Sequence, residues 1–131
     1  MGLDINIKGL EREDTYHGGY IRFGNYKMEV AKAFNKTLGK TYEKSYLTPN
    51  YEFTDDEIEQ WNHLCNDDLD IFLWHSDCDG KLTPEECKKI YNELKKLKIK
   101  DLPYSDKWTM QELWLNMLKH CYKHRVNMYF Y

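Results

Sequence analysis

A chain of 131 residues, 41 % hydrophobic and 31 % charged, is sized for one domain around one core, and its apolar content excludes a natively disordered chain. Nineteen Lys and Arg against 22 Asp and Glu leave a formal charge of −3, which excludes a global pull towards nucleic acid or an anionic membrane. No apolar run is long enough to span a bilayer.

Residues 3–8 alternate apolar and polar side chains, the pattern of a strand with one buried face. Gly9 and the charged residues 11–14 end it, and Gly18-Gly19 is expected to turn the chain into a second short strand at 20–23. From 25 to 38 the spacing becomes helical, with Met28, Ala31, Phe34 and Leu38 on one face and Gly39 as the stop. Residues 40–53 read as an aromatic loop carrying Tyr42, Tyr46, Tyr51 and Phe53, with Pro49-Asn50 as a turn. The loop either lies flat on the core or forms a lid that lends rings to a binding site.

Thr54-Asp55-Asp56-Glu57 is a capping box that launches Ile58, Trp61 and Cys65 along one helical face. Asn66-Asp67-Asp68 interrupts the pattern before Leu69, Phe72 and Leu73 resume it, giving one helix to Trp74 or two shorter ones. Thr83-Pro84-Glu85-Glu86 is a second capping box, with Pro at the first helical position and a stripe of Cys87, Ile90, Tyr91, Leu94 and Leu97 behind it. A last helix over 107–123 turns Met110, Leu113, Trp114, Met117, Leu118 and Cys121 inward, and residues 126–130 alternate as a closing strand that can pair with 3–8. The expected fold is therefore α+β: one domain over 1–131, its small sheet built from both chain ends and packed against about four helices.

The chemistry concentrates between His75 and Glu86. With Gly80 at the sixth position of a twelve-residue loop, Asp77 falls at 3, Asp79 at 5, the Lys81 carbonyl at 7, Leu82 at 8, Thr83 at 9 and Glu86 at 12. Residues 75–98 thus resemble an EF-hand loop and its exiting helix, except that His75 stands at position 1, where an Asp is expected and where imidazole is a poor calcium ligand. Three uses stay open. Ca²⁺ can occupy the loop; a borderline metal such as Mn²⁺ or Zn²⁺ can be held by His75, Asp77, Asp79 and Glu86 and activate water for hydrolysis; or the aspartates bond backbone amides while His75 braces the corner. His120 and His124 have the i, i+4 spacing of metal ligands but no HExxH glutamate, and read as a polar helix edge. His17 and His63 stand isolated in the sequence, and there is no nucleophile elbow or phosphate loop.

Charge is segregated around this loop. Residues 54–80 hold nine Asp or Glu and no Lys or Arg, whereas 81–100 hold seven Lys against three Glu. Eleven Tyr and four Trp exceed what a small core requires, so rings are expected at a surface or pocket. Cys65, Cys78, Cys87 and Cys121 form no CxxC pair, and the Met1-Gly2-Leu3-Asp4 opening carries no apolar leader. Free thiols in a reducing cytoplasm are the expectation.

The Met1-Gly2-Leu3-Asp4 start, the aromatic turn at 23–25, the run His75-Ser76-Asp77-Cys78-Asp79-Gly80 with Glu86-Cys87, and the closing strand together resemble a group of small, uncharacterised proteins encoded by bacteria and their phages. That resemblance spans most of the chain and implies a cytoplasmic α+β domain in which His at the first loop position belongs to the motif. It implies no particular activity. The expected function is a non-catalytic binding protein in which His75, Asp77, Asp79, Tyr42 and Tyr46 hold a small polar ligand, such as a signalling nucleotide, or a host partner protein, as in phage counter-defence. The alternatives are a divalent-cation module and a metal-dependent hydrolase. The expected function needs no cofactor, Ca²⁺ or another divalent cation in the loop belonging to the alternatives, and neither nucleic acid nor membrane is an expected partner.

Overall fold

The computed structural model describes residues 2–76, 79–99 and 102–131. Both chain ends meet in one antiparallel sheet. Strand β1 (Gly2–Ile7) pairs on one side with β2 (His17–Gly19) and on the other with β4 (Met128–Phe130), and β4 also carries the two-residue β3 (Lys81–Leu82). The register sets Ile5 opposite Phe130, Ile7 opposite Met128 and Leu82 opposite Met128. Leu3, Ile5 and Ile7 are buried while Asp4 and Asn6 face out, as the alternation predicts. Pairing of the terminal strands is as expected.

The described residues form six α-helices, α1 (Tyr20–Phe34), α2 (Lys36–Leu47), α3 (Asp55–Leu64), α4 (Asp67–Leu73), α5 (Pro84–Leu94) and α6 (Met110–His124), of which α1 and α6 pack directly on the sheet. The expected strand at 20–23 is instead the first turn of α1, and Gly18-Gly19 lies within β2 and not in a turn. Phe23, Tyr26, Val30 and Ala31 are the buried stripe of α1; Met28 and Phe34 are only half-buried. Asn35 breaks the expected 25–38 helix. Its backbone is extended, and its side chain accepts from the amides of Thr37 and Leu38 at 2.9 and 3.1 Å, starting α2.

Gly39, expected as a stop, sits inside α2, where an added Cβ would lie 2.6 Å from the Lys32 Cα. The glycine serves the close crossing of α1 and α2, and most of the expected 40–53 loop is helix. Asn66 caps α4 through the Leu69 amide, which settles the two-helix alternative for residues 54–74. Capping boxes form at Thr54–Glu57 and Thr83–Glu86, and a third at Thr109–Glu112 starts α6 three residues later than expected. No described helix is long and apolar enough to cross a membrane.

The core is aromatic. Trp114 of α6 stacks on Phe23 at 5.0 Å and 16° and on Tyr26 at 6.3 Å and 12°, and meets Phe72 edge-on at 5.3 Å. Tyr16, Tyr26, Phe23 and Phe72 are fully buried, so much of the aromatic excess is core and not surface. The Trp114 indole N–H is buried with no hydrogen-bond partner among the described residues. Trp114→Ala is expected to cost about 3–5 kcal/mol, and Trp114→Phe clearly less, because Phe keeps the stacking and removes a buried donor. Equilibrium denaturation of both variants checks the order.

Candidate functional site

The chain leaves α4 at Trp74 and turns under the end of β4. The His75 ring rests on the Phe130 ring, centroids 4.0 Å apart at 35°. Its Nδ1 lies 2.9 Å from the Ser76 carbonyl oxygen and its Nε2 lies 3.1 Å from that of Lys81. Both neighbours only accept hydrogen bonds, and a neutral imidazole carries one N–H, so it donates to one of the two carbonyls. The Lys81 carbonyl is the oxygen that the EF-hand register assigns to a cation, and an imidazole edge faces it instead.

Gly80 has φ of +90°, which explains a glycine at this turn. Its amide donates to Asp79 Oδ1 at 2.8 Å, and its carbonyl accepts from the Phe130 amide at 2.9 Å. Glu86 Oε1 accepts from the Thr83 amide at 2.9 Å, so this carboxylate closes a helix cap. Asp77 lies outside the described residues. Among those described, no group of three or more His, Cys, Asp or Glu is arranged to hold a metal ion.

His75 does meet Tyr42 and Tyr46. With Gly24, Lys27, Ser45, Leu73, Trp74 and Ser76 these residues line a cleft of about 350 Å³ between α1, α2 and the chain leaving α4. The Tyr42 hydroxyl donates to the Leu73 carbonyl at 3.2 Å and the Tyr46 hydroxyl to the Ile21 carbonyl at 3.1 Å, which fixes both rings. Tyr46 lies so close to α1 that a Cβ on Gly24 would sit 2.3 Å from its ring. Lys27 is only 5 % exposed, with its ammonium 4.5 Å from the Phe23 ring centroid. Asp79 and Glu86 do not line this cleft; Asp79 borders a separate depression with Lys81 and Tyr129. Lys27, Ser45 and Trp74 escaped the sequence reading because only the α1–α2 crossing brings them together.

His17 is not isolated. Its Nδ1 lies 2.7 Å from Asp4 Oδ1 and its Nε2 2.8 Å from Thr15 Oγ1, an acid–imidazole–hydroxyl line across β1 and β2. Thr15 is 2 % exposed and its hydroxyl donates to the Arg12 carbonyl at 3.2 Å, which ties the start of the sheet edge together. The His17 hydrogen bond holds the Asp4 carboxyl below its usual range. His120 Nε2 lies 3.0 Å from the Lys8 carbonyl, beside the His124 ring. Burial, with Asp70, Asp67 and Glu93 nearby, pushes the Cys65 thiol up to about 12, and the hydrogen bond with Cys121 followed by burial pushes Cys87 up as well. Neither thiol supplies a thiolate nucleophile at neutral pH.

Comparison with protein-family models, with curated proteins and with solved structures gives no match.

Two predictions follow from these partners. Calorimetric titration of the native protein with Ca²⁺ is expected to give no heat, whereas His75→Asp, which frees the Lys81 carbonyl and restores the missing carboxylate, gains weak binding with a Kd of about 10⁻⁴–10⁻³ M. The second concerns Glu57, held below its ordinary 4.5 by the Tyr51 hydroxyl first and then by the Thr54 amide, with Lys44 adding to the effect. A carboxyl lowered on folding contributes stability above its unfolded value and loses it as pH falls through the folded value. Glu57→Gln therefore flattens the acid limb of the stability–pH curve below about pH 4.5, measured by denaturation at stepped pH.

Proposed function

We propose that this protein is a non-catalytic binding domain whose cleft between α1, α2 and the His75 turn holds a small polar ligand. The observation that carries the reading is convergence: His75, Tyr42 and Tyr46, 29 or more positions apart in sequence between the turn and the tyrosines, line one cleft with the nearly buried Lys27. Lys27, Ser45, Tyr42 and Tyr46 give the cleft a polar lining that suits a polar ligand. The volume of about 350 Å³ is at the small end of ligand sites. Buried Tyr42 and half-buried Tyr46, each hydrogen-bonded to a backbone carbonyl, give the walls a fixed shape, which favours binding over induced closure. The phage setting implied by the sequence resemblance makes sequestration of a host signalling nucleotide, or occupation of a host defence protein in the cytoplasm, the fitting biological use.

The divalent-cation reading draws on one observation, the Gly80 turn followed by a capped helix, which keeps the EF-hand backbone pattern from position 6 onwards. It is the weaker reading, because the Lys81 carbonyl already faces the imidazole. The hydrolase reading uses the same residues and gains no further support.

The test is thermal unfolding against a panel of mononucleotides, cyclic nucleotides and inorganic phosphate. A true ligand at one hundred times its Kd stabilises the native state by about 2.7 kcal/mol. Lys27→Met and Tyr46→Phe, both checked for folding by circular dichroism, are expected to lose that stabilisation. A panel without any shift, together with no protein retained from a host lysate by the immobilised domain, sinks the proposal.

A further inference from the structure

Trp74 also lines a second, smaller pocket of about 180 Å³, together with Phe53, Ile58, Trp61, Glu57 and Asp70. Three of its walls are aromatic and point in different directions. The Trp74 ring stands nearly perpendicular to Phe53, at 86° and 5.8 Å, and inclined to Trp61, at 57° and 5.2 Å. Trp74 is 44 % exposed, so the pocket opens to solvent.

The carboxylates decide what such a pocket takes. Asp70 Oδ1 accepts from the Trp61 indole N–H at 2.8 Å, which locks that ring, and among the described residues Asp70 forms no ion pair with a Lys, Arg or His. Glu57 differs, since Tyr51 donates to both its oxygens and the Lys44 ammonium lies 3.6 Å away. An apolar guest would satisfy the rings and leave the Asp70 charge uncompensated. A primary ammonium is strongly hydrated and gains little from ring faces. A methylated ammonium spreads its charge over methyl groups, and it suits both the π-faces and the carboxylate. The pocket has room for about six waters, which accommodates a five-heavy-atom quaternary head and not a nucleotide. Glu57 and Asp70 are the charged residues of its lining, and no Lys or Arg lines it.

We propose that Phe53, Trp61 and Trp74 form an aromatic cage for a methylated ammonium group, with Asp70 as its counter-charge. The proposal does not depend on the ligand of the neighbouring cleft. The quaternary head belongs either to a free small amine or to a trimethylated lysine side chain, and the two are separated by experiment.

The test is intrinsic tryptophan fluorescence of the full chain, titrated with choline and with 3,3-dimethyl-1-butanol, its neutral isostere. A second arm uses short peptides carrying trimethyllysine or unmodified lysine. Choline or the trimethyllysine peptide is expected to give a saturable change, at least fivefold tighter than its neutral or unmethylated counterpart, and whichever binds tighter names the source. Asp70→Asn keeps an acceptor for the Trp61 N–H and is expected to weaken the cation about tenfold while leaving dimethylbutanol unchanged. Trp74→Leu, at an exposed position, removes binding with the circular dichroism spectrum preserved. Discrimination under fivefold in both arms, or no saturable change with either cation, overturns the proposal, as does an Asp70→Asn variant that binds choline as well as the parent.

Discussion

β4 lies between β1 and β3, so Met128–Phe130 bond on one edge to the start of the chain and on the other to the turn that follows α4. Phe130 concentrates this role. Its amide donates to the Gly80 carbonyl at 2.9 Å, its ring lies under the His75 imidazole at 4.0 Å, and the same ring reaches Trp114 at 6.3 Å in the core. A site at His75 is therefore anchored to the hydrophobic core through one side chain. The strands are short, and edge pairing alone would give them little stability. What holds them is the aromatic layer beneath, built around Trp114, to which α1, α4 and α6 each contribute.

The clefts depend on a second constraint, the close crossing of α1 and α2. Two glycines permit it: Gly24 beneath the Tyr46 ring and Gly39 against the Lys32 backbone. Surface ion pairing such as Lys32 with Glu43, 2.7 Å apart but well exposed, adds little by comparison. Because α2 is drawn onto α1, Tyr42 is carried against Trp74 at 5.1 Å and against Trp61 at 6.4 Å. Trp74 then separates two environments of opposite character, one holding Lys27 and the other Asp70.

The parts of the fold readable in advance were those written locally. Alternation over 3–8, the paired Thr and Glu of the capping boxes, and the apolar stripe from Met110 to Cys121 each specify an element without reference to the rest of the chain. The errors came where one residue type serves two purposes. Gly39 after a helical pattern resembles a stop, yet here it answers a neighbour that local sequence does not reveal; the usable signal was Asn35, a strong N-cap. The Tyr20-Ile21-Arg22-Phe23 alternation is too short to distinguish strand from helix. Of the candidate cleft, His75, Tyr42 and Tyr46 were legible as candidates and share its lining, but Lys27 looks like any polar helix position until the fold buries it.

His75 at the first loop position changes what the described part of this metal-loop pattern offers a cation. In such a loop, the carbonyl at position 7 converges with carboxylates on a cation, and without that cation their repulsion opens the turn. Here the Lys81 carbonyl faces an imidazole edge, and Asp79 and Glu86 each accept from a backbone amide, of Gly80 and of Thr83. The backbone at this point gains further from β3, whose pairing with β4 is supplied within the chain. Residues 79–82 are thereby held by hydrogen bonds and strand pairing, and the His75 imidazole, resting on Phe130, becomes part of the wall of the neighbouring cleft.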